Sequence, residues 1–490
     1  MRKAKIGATL GPACDDETTL GRLVRAGIDL ARLNFSHGRL DSHRRRTRRL
    51  RQAARAAGRR VAVMADLQGP RVRVGRFEGG SLEIADGAGV ELRAGCHRAE
   101  PGVVPVPLGA LADKLKKGDR LLIDDGTIEL VVRRTRGRSI GCEVRRGGVI
   151  GDHKGINVPG VELSAPALTV KDRRDLHDAV ELGADWLAVS FVRRPQDVCA
   201  ARRLLARAGS DVAVMAKIER REAVDCLDGI LKEADGLLVA RGDLGVELPP
   251  QDVPILQKQI IEAANREGKV VVTATQMLDS MRNSRRPTRA EASDVANAVL
   301  DGSDCLLLTA ETAVGKYPVE SVEMMAGIIR EAESSGRAPR FGPPEGELAV
   351  ALTTCLAGCR AAYEVGARYL AVFTQSGFSA QQTARFRPRT PILAFAATEE
   401  VAQRLSANWG VTTHVLRPQR SIEGMIGAVT TYLAREKLAA AGQRVVILAG
   451  SPIGVSGTTN LMEIRTLGDP VRGGSGAGTL KRPRARRKRA

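Results

Sequence analysis

The sequence predicts an α/β protein built on a (β/α)8 TIM barrel, with a small β-rich lid domain inserted into the barrel and a second α/β domain after it. Short runs rich in Val, Ile, Leu and Ala, each followed by a helix-like stretch, occur at residues 5–9, 28–33, 61–65, 186–191, 212–216, 236–240, 270–275 and 305–309. Near-continuous apolar runs alternating with helices belong to a parallel sheet buried on both faces, and eight such units suit a closed barrel. An open doubly wound sheet is the alternative, but the sequence lacks the Gly-rich phosphate turn expected after its first strand. The spacing breaks once, over residues 70–166, where short alternating segments such as 103–107, 120–123 and 128–133 are punctuated by Gly. That pattern predicts a small antiparallel domain seated over the barrel mouth. After a linker at 339–346, runs at 369–373, 392–396, 412–416 and 445–449 alternate with helices again. The expected units are therefore 1–69 with 167–340 as barrel, 70–166 as lid and 345–469 as C-terminal α/β domain. Residues 470–490 are Gly-rich and then Arg-rich, with almost nothing to bury, so a disordered basic tail is expected.

Composition narrows the class. At 490 residues the chain has room for several cores, and no run approaches the ~18 apolar residues of a membrane span. The N-terminus lacks the apolar core and cleavage site of a secretory signal, which points to a cytoplasmic protein. Eight cysteines are scattered, and the one close pair, Cys355 and Cys359, has helical spacing, so reduced core thiols are expected. The net charge is +20, and +13 without the seven Lys and Arg residues of the last ten positions. A second arginine cluster, residues 44–60, has the periodicity of an exposed helix; there a solvated surface is favoured over polyanion binding. For the tail, nonspecific polyanion binding stays open. A dedicated nucleic-acid protein is disfavoured, because the tail has no aromatic residue for base stacking and aromatics make up only 3% of the chain.

In a barrel, residues at the C-terminal strand ends face one another at the top, where active sites of this architecture lie. Those ends carry Arg32, Asn34 and Ser36, then Asp66, Ser190, Lys217 and Glu219, Arg241 and Asp243, Thr275 and Glu311. Glu219 and Asp243 are hard oxygen donors with no Cys or His cluster nearby, which favours Mg2+ or Mn2+ over zinc. Lys217 lies two residues before Glu219, on the same face of an extended strand, placed to stabilise charge on a transferring phosphoryl group or an enolate. An ordinary surface ion pair explains any one of these residues alone, but not all three at successive strand ends. The segment from Ala240 to Gly245 reads as a glycine-bearing turn ahead of a short helix, where the amides near Gly242 approach an anion. His37 either touches a nucleotide or caps its own loop.

Together these segments resemble pyruvate kinase. The matching strings are RLNFSHG (32–38), KIE (217–219), ARGDLGVE (240–247), TATQMLDSM (273–281) and RPTRAEASDVANAVLDGSD (286–304), with HKGINVPG (153–160) in the lid. The similarity runs over roughly residues 3–469. It implies phosphoryl transfer from phosphoenolpyruvate to ADP in glycolysis, with Mg2+ or Mn2+ held by Glu219 and Asp243. It further implies that Lys217 stabilises the transfer and the enolate, that Thr275 orients substrate and a proton-donating water, and that Arg32 and Arg73 contact phosphates. Ser190, Gly242 and Asp243 fall on the substrate side, the last two through backbone at the carboxylate. Asn34, His37, Arg73 and Lys154 fall on the nucleotide side. A homotetramer is the family's usual assembly. A Mg2+-dependent phosphoenolpyruvate or pyruvate aldolase or lyase on the same barrel is the rival reading; it needs neither the lid nor a nucleotide-contacting lysine.

One departure is informative. Potassium-dependent members have Thr, Lys and Glu where this chain has Leu67, Gln68 and Arg71, and there Asn34, Ser36, Asp66 and the residue at position 67 surround the monovalent cation. A permanent guanidinium in place of an acid supplies positive charge and disfavours bound potassium, so potassium-independent activity is expected. The C-terminal domain resembles the family's effector domain through TQSGFSA (374–380) and SGTTN (456–460), which makes Thr374, Ser376, Gly377 and Ser379 a candidate effector loop. Phe378 stands where many relatives have a basic residue. That substitution argues against fructose 1,6-bisphosphate and leaves another sugar phosphate, AMP, no effector, or purely structural turns as the readings of these loops.

Overall fold

The computed structural model describes residues 2–98, 100–161, 166–337, 349–417 and 419–468. All eight runs read from the sequence are barrel strands: Lys5–Thr9, Leu30–Asn34, Ala62–Asp66, Trp186–Val189, Ala213–Ile218, Gly236–Ala240, Val270–Ala274 and Cys305–Leu308. Each pairs in parallel with its neighbours in chain order, and the last closes on the first through Lys5 opposite Cys305. Side chains alternate between two cores. Leu30, Met64, Trp186, Met215, Leu238 and Val272 fill the inside of the barrel, while residues such as Val63, Leu187, Val214 and Val271 pack outward against the helices. Burial on both faces explains why the sequence shows continuous rather than alternating apolar runs. The fifth strand runs on to Ile218, past the end of its apolar run, which places Lys217 within the strand, opposite Leu238.

Between the third and fourth barrel strands the chain builds a separate β unit with its own core, including Leu92, Leu121, Leu130 and Ile140. One sheet has seven strands, and Ser81–Ile84 pairs separately with Gly148–Gly151. The expectation of a purely antiparallel unit is corrected at one pair. Gly89–Ala94 and Val103–Val106 run parallel, because the connection between them crosses back and restarts Val103 beside Glu91. The C-terminal sheet has the order Val411–Val415, Ile392–Ala396, Tyr369–Thr374, Arg444–Gly450, Thr459–Thr466; all its pairs are parallel except the last.

The C-terminal domain is fastened to the bottom of the barrel. Lys5 Nζ donates to the Val411 carbonyl at 2.7 Å, and Arg387, buried beneath Trp409, pairs with Asp304 at 2.9 Å. Cys355 and Cys359 are buried on the helix Val350–Glu364, and all eight cysteines are free. The arginine cluster lies on and after the helix Leu40–Ala56. Arg44, Arg46, Arg49, Arg51, Arg59 and Arg60 pair with Glu181, Asp15, Glu17, Asp185, Asp29 and Glu399, so six of its nine arginines are spent on ion pairs within the chain. The linker at 339–346 and the tail at 470–490 lie outside the described residues. Among the described residues no helix is long and apolar enough to cross a membrane.

Candidate active site at the barrel mouth

Lys217 stands at the centre of the mouth. Its Nζ lies 2.9 Å from Glu219 Oε1 and 3.2 Å from Asp66 Oδ1, and it donates to Ser190 Oγ at 2.8 Å. Asp66 Oδ2 accepts Arg32 Nε at 2.6 Å, and Arg32 Nη1 reaches Thr9 Oγ1 at 3.2 Å. Burial opposes charge on all of these groups, but the ion pairs outweigh it at two of them. Asp66 is held below the usual carboxylate range by Lys217 and Arg32, and Lys217 is held above its ordinary value by Asp66 and Glu219. Glu219 behaves differently. Burial, reinforced by the charge of Asp243, pushes its carboxyl up despite Lys217 and the Phe191 N–H, which donates to Oε2 at 2.6 Å.

Glu219 Oε1 is buried and receives no hydrogen bond of good geometry, and the nearby charge of Asp243 adds to the excess negative potential. Such a pair of carboxylates fits a divalent cation. No cluster of three or more His, Cys, Asp or Glu side chains suited to a metal occurs among the described residues. Two protein carboxylates, with the remaining ligands from substrate and water, match the habit of Mg2+ rather than a closed zinc cage.

The mouth is also where the backbone is strained. Phe191, Thr275 and Gln276 adopt left-handed conformations with φ of 54°, 72° and 53°. For a β-branched residue such as Thr275 this is an outlier, and such strain concentrates at functional sites. It is held from both sides: Arg241 Nη2 donates to the Thr275 carbonyl at 2.6 Å, and Thr275 Oγ1 accepts the Gly242 N–H at 2.7 Å. Gly69, also left-handed, is required by space, since a Cβ there would lie 2.8 Å from the Phe191 ring and 2.9 Å from Ser190 Cβ.

Several expectations change. The Arg241–Glu247 segment is itself the helix, not a turn before one, so Gly242 and Asp243 occupy its first turn. The Gly242 N–H expected at a carboxylate donates instead to Thr275. Arg241 and Glu311 stand at strand ends but brace backbone: Arg241 also pairs with Asp294, while Glu311 accepts the N–H groups of Leu278 and Thr309. Lys154 pairs with Asp124 of its own domain at 2.9 Å. Arg71 binds Asp125 at 2.5 Å and lies 3.8 Å from Asp243; no described contact joins it to Asn34, Ser36 or Asp66. Its charge therefore sits beside Asp243.

Asn34 Oδ1 accepts the Ser36 N–H at 3.0 Å, and the carbonyl of Leu67 accepts Ser190 Oγ at 2.7 Å. Arg73 donates to the His153 carbonyl at 3.0 Å. His37 is exposed at the rim, where partial burial and the cations Arg73, Arg32 and Arg71 keep it below its ordinary pKa. Sequence reasoning missed Thr9, the Phe191 amide and Asp125. Only the last carried a signal: Asp124 and Asp125, both left-handed, form with Gly126 a hairpin turn whose composition is legible.

Across the molecule, the C-terminal domain holds an open cleft lined by Phe373, Phe378, Phe395, Met425, Arg417 and Gly457. Along its edge Thr374 Oγ1 accepts the Gly377 N–H at 2.9 Å, Ser376 pairs with Ser456 at 2.6 Å, and Ser379 pairs with Thr459.

Fold and mouth together define a TIM-barrel phosphotransferase with a covering domain. Two family models match the chain: pyruvate kinase, barrel domain, over residues 1–322, and pyruvate kinase, alpha/beta domain, over residues 353–465. The pyruvate kinase of Mycobacterium tuberculosis is 44% identical over 472 residues, covering 96% of this chain and 99% of that protein. That of Corynebacterium glutamicum is 42% identical over 472 residues, with the same coverage. A solved pyruvate kinase from Cryptosporidium parvum superposes with a TM-score of 0.87 at 34% identity, covering 95% of this chain and 96% of that one. The chain belongs to the pyruvate kinase family, phosphotransferases that act on phosphoenolpyruvate and ADP and depend on a divalent metal. Membership sets aside the aldolase and lyase readings.

Proposed function

We propose that the pyruvate kinase reaction runs at this mouth around Lys217. The observation that carries the reading is the Lys217 ammonium, held charged among Asp66, Glu219 and Ser190 at the one point where three strand ends converge. In the reaction the bond from phosphorus to the enol oxygen of phosphoenolpyruvate breaks, a bond from phosphorus to an ADP β-phosphate oxygen forms, and the enolate takes a proton at its methylene carbon. Lys217 stabilises negative charge that grows on the phosphoryl oxygens and on the enolate. Arg32, oriented by Asp66 and Thr9, and Arg73, reaching in from the lid, bind phosphate oxygens. Ser190 orients Lys217, and Thr275, pinned in its strained conformation, orients the substrate and the protonating water. The first turn of the Arg241–Glu247 helix receives the carboxylate once the Gly242 N–H exchanges Thr275 for it.

Glu219 and Asp243 would hold Mg2+ or Mn2+, which supplies Lewis-acid polarisation of the phosphoryl oxygens when bound. Asn34, His37 and Arg73 line the nucleotide side, with Lys154 joining them when the lid closes and excludes water. Activity is independent of potassium. Supporting this, the oxygens of Asp66 are occupied by Arg32, Lys217 and Ser190, the Asn34 oxygen is turned onto Ser36, and Arg71 already places a cation beside Asp243. The Thr374 to Ser379 loop borders the site of a sugar-phosphate or nucleotide effector. The assembly is a homotetramer in the cytoplasm, and the basic tail binds polyanions nonspecifically.

The test is ADP-dependent pyruvate formation by the wild type and by Lys217→Met, each with and without Mg2+. The variant is expected to lose about a thousandfold in kcat while still binding phosphoenolpyruvate. Full activity in Lys217→Met would overturn the mechanism.

A further inference from the structure

The loop that carries Asn34, Ser36 and His37 is gripped from below by a residue that touches none of the reacting groups. His43, on the helix Leu40–Ala56, is 2% exposed. Its imidazole stacks on Phe35 with ring centroids 4.6 Å apart and planes inclined by 16°. Its Nε2 lies 3.0 Å from the His37 carbonyl oxygen. A carbonyl only accepts, so Nε2 carries the proton. Phe35 is fixed from two further directions: its N–H donates to the Asp66 carbonyl at 3.0 Å, and its own carbonyl accepts Lys171 Nζ at 2.7 Å. On the far side of the turn His37 and Gly38 are exposed, Gly38 is left-handed at φ 84°, and the His37 N–H donates to the Asn34 carbonyl at 3.1 Å. The hydrogen bond from His43 adds the tether that joins the His37 carbonyl to the buried face of the helix beneath.

We propose that His43 is a positioning residue for the nucleotide side of the site: it sets the height of the His37 backbone, and with it the placement of Asn34 and the His37 ring toward ADP. The proposal rests on the reading of this loop as the nucleotide side. It requires both of the contacts that an imidazole combines, a flat face for Phe35 and an N–H aimed at one carbonyl. Burial lowers the pKa of the ring, with the cations Arg46 and Lys171 acting in the same direction and the His37 carbonyl and Asp15 against them.

Two substitutions separate the contacts. His43→Phe keeps the ring and its volume but removes the N–H; His43→Gln gives up the ring but can present its side-chain amide N–H at the position of Nε2. Steady-state kinetics with ADP and phosphoenolpyruvate varied separately, together with thermal unfolding, read the outcome. For His43→Phe the KM for ADP is expected to rise about fivefold, the factor of one neutral hydrogen bond, with the KM for phosphoenolpyruvate unchanged within about twofold. His43→Gln should recover most of that loss even if it melts earlier. An unchanged KM for ADP in His43→Phe, equal losses for both substrates, or a His43→Gln variant no better than His43→Phe would overturn the proposal. His37→Ala serves as the control for the underlying reading. If it leaves the KM for ADP unchanged, the loop does not face the nucleotide and both readings fall; if it raises that KM while His43→Phe does not, only the role of His43 falls.

Discussion

Two regions of this molecule bury ionisable groups and treat them in opposite ways. At the barrel mouth Lys217, Asp66 and Glu219 are nearly inaccessible, yet opposite charges lie within about a hydrogen bond's length, so Lys217 and Asp66 stay ionised. In the C-terminal domain His414 is packed among Phe395 and Tyr432, with its Nδ1 2.6 Å from the Tyr432 hydroxyl. There partial burial prevails: it pushes His414 down to about 4, with Arg60 acting in the same direction, and it pushes Tyr432 up, with Glu436 acting in the same direction. Charge that survives burial is charge the fold has compensated with other charges, an arrangement that costs desolvation; at the mouth it serves the chemistry, and at Arg387 and Asp304 it fastens two domains. Around His414 no such compensation is built, and the titratable group is left neutral.

Breaking the compensation at the mouth should have the largest effect. Glu219→Gln keeps the volume and the contact with the Phe191 amide but removes a negative charge from the metal position. A loss of about a hundredfold in kcat/KM is expected, with Mg2+ activation moved to higher concentration. The same logic gives a pH dependence with a definite sign. Because the Glu219 carboxyl is raised, protons compete with the metal for it as pH falls, so the acid limb of the wild-type profile should move to lower pH as Mg2+ is increased, and Glu219→Gln should lose that coupling. An acid limb insensitive to Mg2+ would break the assignment of Glu219 as a ligand.

Arg71 tests whether the compensating charge at the mouth is complete within the chain. Replacing sodium by potassium should change wild-type turnover by less than about twofold, because Asp66 and Asn34 already have partners and a guanidinium stands beside Asp243. Arg71→Glu should lower activity in potassium-free buffer by about tenfold and regain it with potassium. Strong stimulation of the wild type by potassium would show that the internal cations do not suffice.

How far the sequence reveals these regions follows from the kind of burial each uses. The barrel strands were legible because burial on both faces leaves uninterrupted apolar runs, and the strand-end rule then brought Lys217, Glu219 and Asp66 together. The last strand of the C-terminal sheet, Thr459–Thr466, was not read as a run, because it is an edge strand with Met462 and Ile464 exposed. Strand-end position also misassigned Arg241 and Glu311, since it says which residues sit near the mouth and not whether a side chain turns up to solvent or down to a backbone amide. The partnership of Arg71 with Asp125 was beyond reach for another reason: the two are 54 residues apart and meet only because a lid hairpin folds back over the mouth.

The smallest expected effect tests the uncompensated region. His414 has a pKa of about 4 in the folded protein, while an unfolded chain protonates it near its ordinary 6.5. Above 6.5 both states are neutral and the residue contributes no pH dependence. As pH falls from 6.5 toward 4, the unfolded state binds a proton that the folded state refuses, so the fold loses stability over that window, by about 2 to 3 kcal/mol at pH 4.5. Carboxylates titrate in part of the same range, so the comparison that isolates His414 is with His414→Gln, which has no such proton to refuse. The variant should be less stable than the wild type at pH 7, where the bond to Tyr432 is lost, and the gap in denaturant midpoint should narrow or reverse at pH 4.5. A gap that stays constant would mean that His414 protonates in place, with Glu436, just past the end of the helix Ile422–Arg435, supplying the counter-charge. The contrast with the mouth would then be one of degree, because both regions would be holding buried charge by pairing it.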